Sequence, residues 1–181
     1  MGTSYYSNVS HWSKGEYYRA NNPEDDIAII AGHVGYSPDD HSSSVSIPTN
    51  LLLTERHLSG AGIIGFGSDQ DLFAFTLSRD QVVSLELAPF RAASWQSSGG
   101  NLHGKVLLTN SSGAEVPMRT AGTTLMPQFS ASLAAGTYFV RVSATGTGDP
   151  WSAAPSGYTA YGSAGQFRLV GNLSDPLMPV V

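Results

Sequence analysis

Cysteine is missing altogether from the 181 residues, which excludes disulfides, thiolate metal sites and a cysteine nucleophile together. Charge is sparse as well: charged residues make up 13% of the chain, about half the share of an average soluble domain, so long solvated helices are not expected. Nine Lys and Arg against fourteen Asp and Glu leave a formal charge of −5. Nucleic acid is therefore not an expected partner, because its affinity rests on clustered cations. No apolar run approaches the roughly 20 residues of a membrane-spanning helix, and no membrane partner is expected. Met1-Gly2-Thr3-Ser4-Tyr5-Tyr6 lacks the basic and apolar regions of a secretion signal. Tyr6 also stands where a myristoylation signal has Ser or Thr. On this reading the protein is either cytoplasmic or the later part of a longer chain. Catalytic signatures are lacking too: there is neither an H-E-x-x-H zinc helix nor a G-x-S-x-G nucleophile elbow.

Small residues and short apolar alternations fill the chain instead. In Gly67-Ser68-Asp69-Gln70-Asp71-Leu72-Phe73-Ala74-Phe75-Thr76-Leu77 an acidic turn runs into a strand. Two-residue periodicity puts Asp71, Phe73, Phe75 and Leu77 on one face and Leu72, Ala74 and Thr76 on the other. Further strands are expected near 82–88, 103–109, 115–119, 124–133, 136–144 and 165–170, with Leu51–Leu53 and Ile63–Phe66 opening the sheet on either side of a turn-like Ser59-Gly60-Ala61-Gly62. Ser111-Ser112-Gly113 and Ala134-Ala135-Gly136 read as hairpin turns.

One helix is predicted, over about 23–31, with Asn22 as cap, Pro23 in the first turn and Glu24, Asp25 and Asp26 favoured by the helix dipole. Its apolar face is Ile27, Ile30 and Ala31. Residues 1–20 read as an irregular aromatic loop, and the Ser, Pro and Asp content of 35–48 as a linker. The fold class is mainly β: an antiparallel, jelly-roll-like β-sandwich with one short N-terminal helix.

Four stretches in order, Gly67–Phe75, Asn101-Leu102, Leu133–Val142, and Gly148-Asp149-Pro150 followed by Gly157–Phe167, carry a family likeness. Through them residues 60 to 171 resemble the bacterial pre-peptidase C-terminal domain, a secreted β-sandwich appended to proteases and other exported hydrolases. Residues 1–41 carry a second likeness. Met1–Tyr6 is similar to the Met-turn and its sequel in a metzincin-type zinc protease. His11–Tyr17 and Asn21–Asp26 are similar to that domain's closing loop and final helix. The implied organisation is a protease-like remnant over 1–41, a linker and first strand over 42–59, the sandwich over 60–173 and a tail over 174–181. The resemblance implies a secreted, non-catalytic accessory role for this chain, either binding an extracellular polysaccharide or protein polymer or stabilising its parent enzyme. Two rivals stand beside it: the C-terminal part of a zinc metallopeptidase whose motif lies upstream, and an independent carbohydrate-binding module.

Two kinds of site are expected. Asp69 and Asp71, with Asp149 in a similar Gly-Asp-Pro turn, are candidate calcium ligands, calcium being a hard cation that takes carboxylate and carbonyl oxygens. Calcium occurs in parts of the resembling family. The alternative is that these carboxylates only order turns and strand ends through local hydrogen bonds. A metal held by His33, Asp39, Asp40 and His41 competes with a solvated loop. For ligand binding the candidates are Trp95, Trp151, Tyr158 and Tyr161, whose flat rings can stack on sugars or proline-rich peptide. For the two tyrosines the competing role is closing the core. Covering the aromatic N-terminal segment by a second copy of the chain would make a homo-oligomer.

Overall fold

Alternation along the strands decides the architecture. Over residues 165–174, Phe167, Leu169 and Leu173 are buried while Gln166, Arg168 and Asn172 are exposed; over 81–89 the buried set is Gln81, Val83, Leu85, Leu87 and Pro89. Faces of this kind pair across two sheets. The computed structural model describes residues 9–90, 100–123 and 125–176. In chain order its elements are α1 (Asp26–Val34), β1 (Thr49–Asn50), β2 (Leu52–Thr54), β3 (His57–Ile64), β4 (Gln70–Leu77), β5 (Gln81–Pro89), β6 (Gly104–Asn110), β7 (Arg119–Thr123), β8 (Met126–Leu133), β9 (Gly136–Ala144) and β10 (Gly165–Ser174). A four-stranded sheet has the order β1-β4-β9-β6 and a six-stranded sheet the order β2-β3-β10-β5-β8-β7. All pairings are antiparallel except that of β1 with β4. The expected β-sandwich is the fold.

Phe73, Phe75, Val140 and Val142 from the first sheet meet Leu85, Leu87, Phe167 and Leu169 from the second in one apolar core. Phe73 and Phe167 touch edge to face, with centroids 6.1 Å apart, an arrangement that suits the ring quadrupoles. β4 is buried on both faces apart from Thr76 and the edge residue Gln70, because the chain before it lies across its outer side. The Leu72 N–H donates to the Ser42 carbonyl at 3.2 Å, and Arg141 donates to the Ser43 carbonyl at 3.3 Å. Residues with the composition of a linker are thus laid on the sheet, and β1 extends that contact.

Local expectations shift in three places. Ser59-Gly60-Ala61-Gly62 lies inside β3 and makes no turn. Its glycines serve close approach: a Cβ on Gly60 would meet Leu51 Cδ2 at 2.7 Å, and one on Gly62 would meet Asp71 Oδ2 at 2.5 Å. The helix begins three residues later than expected, because Asp25, not Asn22, accepts from the Ala28 N–H and caps it. The strand expected at 115–119 is β7 at Arg119–Thr123; the preceding residues bond to β6 through the Val116 N–H and the Leu108 carbonyl.

The irregular N-terminal stretch is docked on one end of the sandwich. Ser10 N–H donates to the Gly100 carbonyl, Trp12 N–H to that of Gly162 and Tyr18 N–H to that of Pro150. Glu16 accepts from the Thr159 hydroxyl, and Asp25 from Tyr161. The helix itself has no buried residue, and Ile29, Ile30 and Val34 are exposed. Of the face predicted at Ile27, Ile30 and Ala31, Ile27 and Ala31 are half-buried and Ile30 is exposed.

Candidate metal centre

Asp71 begins β4 facing inward by the strand's two-residue period. It is 0% exposed, and neither carboxylate oxygen has a hydrogen-bond partner. A buried ionised carboxylate without partners is costly, so its surroundings must account for it. Asp69, two residues earlier and also buried, accepts from the Gly65 N–H at 2.7 Å. Asp39 and Asp40 arrive from the chain laid beside β3 and β4. Asp39 accepts from the His41 N–H at 3.2 Å and Asp40 from the Ile63 N–H at 3.3 Å.

Ligand atoms of Asp39, Asp69 and Asp71 lie within 4.8 Å of one another, and so do those of Asp40, His41 and Asp71. Asp71 belongs to both groups and is their hub. Burial, with Asp40, Asp69 and Asp39 adding repulsion in that order, pushes its carboxyl up to about 8. Burial and the neighbouring carboxylates thus both disfavour the ionised form of Asp71.

His41 is otherwise occupied. Its Nε2 lies 2.7 Å from the Ala61 carbonyl and its Nδ1 2.8 Å from the Thr49 hydroxyl. The carbonyl only accepts, so Nε2 carries a proton, and Nδ1 pairs with the Thr49 hydroxyl. Both nitrogens hold residue 41 between β1 and β3, and Nε2 also lies 3.5 Å from Asp40 Oδ2. The free donors are then carboxylate oxygens alone, a set that fits a hard cation such as calcium and does not fit the nitrogen and sulfur preference of zinc.

Gly62 is part of this construction. A methyl group there would meet Asp71 Oδ2 at 2.5 Å, His41 Cδ2 at 2.8 Å and Phe167 Cζ at 2.8 Å. Gly62→Ala is expected to cost about 1–3 kcal/mol of stability, as overpacking does, and to weaken any stabilisation by calcium. Urea unfolding with and without the ion measures both.

No protein-family model matches this chain, and no curated protein sequence matches it. Among solved structures it is similar to the Aeromonas hydrophila periplasmic inhibitor of g-type lysozyme, PliG, at 14% identity and a TM-score of 0.46, covering 70% of this chain and 96% of that one. It is also similar to the pre-peptidase C-terminal domain of a Bacillus anthracis collagenase, at 10% identity and a TM-score of 0.42, covering 76% of this chain and 98% of that one.

The remaining candidates are scattered. Asp149 is exposed in a loop, where its carboxylate accepts from the Trp151 N–H at 3.1 Å, away from Asp69 and Asp71. His33 sits in the last turn of α1, outside the carboxylate groups. Trp151 is 58% exposed, whereas Trp95 lies outside the described residues. The Tyr158 hydroxyl and His103 Nδ1 share a hydrogen bond at 3.0 Å, and the tyrosine ring packs on that of His11 at 3.9 Å. Tyr161 bonds Asp25 and carries Lys14 Nζ 4.2 Å from its ring centre. Both tyrosines thus fasten the N-terminal segment to the sandwich. Spacing alone pointed to Asp69 and Asp71. It did not join Asp39 and Asp40 to them, because that link depends on the chain's path alongside β3 and β4.

Proposed function

We propose that the chain is a non-catalytic accessory β-sandwich of a secreted hydrolase, fastened by calcium at Asp39, Asp40, Asp69 and Asp71. One observation carries the reading: Asp71, fully buried, has two unpartnered oxygens at the junction of two carboxylate groups. When bound there, a divalent ion neutralises the cluster and ties residues 39–41 to β4. Such a module is built for persistence outside the cell, stabilising a parent enzyme or holding it against a polymer. Thermal melts test the ion. Calcium added to chelator-treated protein is expected to raise the melting temperature by several degrees, since a ligand selective for the folded state stabilises it. Superimposable melts would end the reading.

A second reading gives residues 1–41 to a zinc metallopeptidase domain lying upstream. The exposed Ile29, Ile30 and Val34 of α1 favour it, because an apolar helix surface of that kind is normally covered. An in-frame H-E-x-x-H upstream of Met1 is the expected finding in the gene. Light scattering showing a stable dimer would assign the same surface to a second copy of this chain instead.

A further inference from the structure

One side of α1 is apolar in the middle and charged at both ends. Asp26, in the first turn, and His33, in the last, are seven residues apart, which is two helical turns, so they stand on one line along the helix. Ile29 and Ile30 flank that line on either side, and Val34 follows Ile30 by one turn. Ile29, Ile30, His33 and Val34 are all exposed, Val34 at 78%. Asp26 accepts from the Ser13 N–H through Oδ2 at 2.9 Å, which leaves Oδ1 for a second donor. The apolar surface continues past the helix. Ile30 and Tyr36 line one cavity of about 170 Å³, and the Tyr36 ring meets that of Phe66 edge-on at 6.4 Å, both rings being exposed.

The order of this side chain row, acid, two isoleucines, histidine, is the same when it is matched with its own reverse. A twofold axis passing beside Ile29 and Ile30 therefore sets Asp26 of each copy opposite His33 of the other and Ile29 against Ile30. An interface between identical subunits about a twofold has to be self-complementary in this way. Parallel pairing would set acid beside acid, whereas the antiparallel pair also aligns the two helix dipoles head to tail. The exposed parts of Ile29, Ile30, Val34, Tyr36 and Phe66 offer roughly 500 Å² on each copy and about 1,000 Å² for a pair, the lower limit of a specific interface. Such an area suits an association in the micromolar range rather than a permanent one.

We propose that a second copy of this chain covers α1, forming an antiparallel twofold pair centred on Ile29 and Ile30. The pairing goes beyond the accessory role and does not depend on calcium. It competes with the upstream-domain reading, because the two occupants claim the same surface and exclude each other.

Sedimentation velocity of the full chain from about 1 to 100 µM is the test, this being the range in which so small an interface dissociates. A monomer giving way to a dimer is the expected result. Ile29→Glu is expected to abolish the dimer. His33→Asp, which faces Asp26 with a like charge, is expected to weaken it ten-fold or more, and His33→Lys to strengthen it several-fold. Both positions are exposed, so thermal melts at the lowest concentration should be unchanged. Leu52→Glu, on the exposed edge strand β2, is expected to leave the dimer intact. A monomer at every concentration overturns the proposal and returns the surface to an upstream domain. So does a dimer that survives Ile29→Glu, or one weakened alike by Asp and Lys at position 33. A dimer lost with Leu52→Glu and kept with Ile29→Glu overturns it in favour of pairing along the sheet edge. The calcium melts report separately, so either reading can fail alone.

Discussion

Asp71→Asn is expected to melt higher than the wild type in chelator at pH 7.5 and to lose the wild type's response to calcium. In the folded chain without an ion, ionising Asp71 puts a buried, unpartnered charge beside Asp40, Asp69 and Asp39, which is why its carboxyl rises from 3.8 to about 8. The folded form therefore holds a proton that the unfolded form releases. For this group the stability of the metal-free protein is complete below about pH 4 and is lost as the pH rises through 8. Raising a carboxyl tenfold in proton affinity is worth about 1.4 kcal/mol where nothing screens it, and solvent screening keeps the total here to roughly a few kcal/mol. An asparagine amide does not titrate, and it donates to the carboxylates that repel Asp71. Calcium must displace the proton, so its affinity is expected to fall with acid over the same window. Melting temperatures between pH 5 and 8.5 check all of this. In chelator the wild type should decline toward pH 8.5 while the asparagine variant stays flat, and the calcium response of the wild type should widen with pH. Parallel profiles for the two proteins, or a calcium response that survives in the variant, would refute the assignment.

The sandwich was legible because its signal is local. Val83, Leu85 and Leu87 alternate with polar or half-buried residues, and they are buried where the alternation puts them. Asp69 and Asp71 were visible for the same reason, as an acidic turn entering a strand. The misread places share a different cause. Gly60 and Gly62 resemble turn residues in sequence, yet they sit mid-strand because Leu51 and Asp71 approach the backbone there, and close approach leaves no local trace. Asp39 and Asp40 stand about thirty residues before Asp71 in a stretch rich in Ser, Pro and Asp, and the bonds made by Ser42, Ser43, Asp40 and His41 fold that stretch over β4. Tyr158 and Tyr161 show the converse: their ring character was plain, but their partners His103, His11 and Asp25 come from distant segments.

Acidification from pH 7.5 to pH 5 is expected to release residues 9–34 from the sandwich while leaving the core folded. His11 is the cause. Its ring packs 3.9 Å from that of Tyr158, and its Nε2 is buried with no partner. Burial, and then the nearby His103, push its pKa from 6.5 down to about 4. His103 is itself buried, which lowers its pKa, and its Nδ1 is hydrogen-bonded to the Tyr158 hydroxyl. The docked state therefore requires neutral His11, and the undocked state does not. Docking is fully supported above about 6.5 and is lost as the pH falls toward 4. For a half-buried ring the screened effect is on the order of 1–2 kcal/mol, roughly five- to thirty-fold in the docked-to-undocked ratio. The other charges at this contact are Lys14, paired with Glu16 at 3.3 Å, Asp26, which accepts from the Ser13 N–H at 2.9 Å, and Asp25, which accepts from Tyr161 and is held low chiefly by that bond. Gly162 permits the contact, since a Cβ there would run into the Trp12 carbonyl. Gly162→Ala should therefore mimic acid at pH 7.5. Hydrogen exchange in chelator is the measurement. Amides of residues 9–34 should exchange faster at pH 5 than intrinsic rates predict, those of β4, β5 and β10 should stay protected, and His11→Phe should abolish the difference. Equal protection of 9–34 at both pH values in the wild type would show that His11 does not control the docking. Metal-free Asp71 acts in the opposite direction, stabilising the sandwich in acid, so loosening of 9–34 over a firmer core cannot come from general acid unfolding.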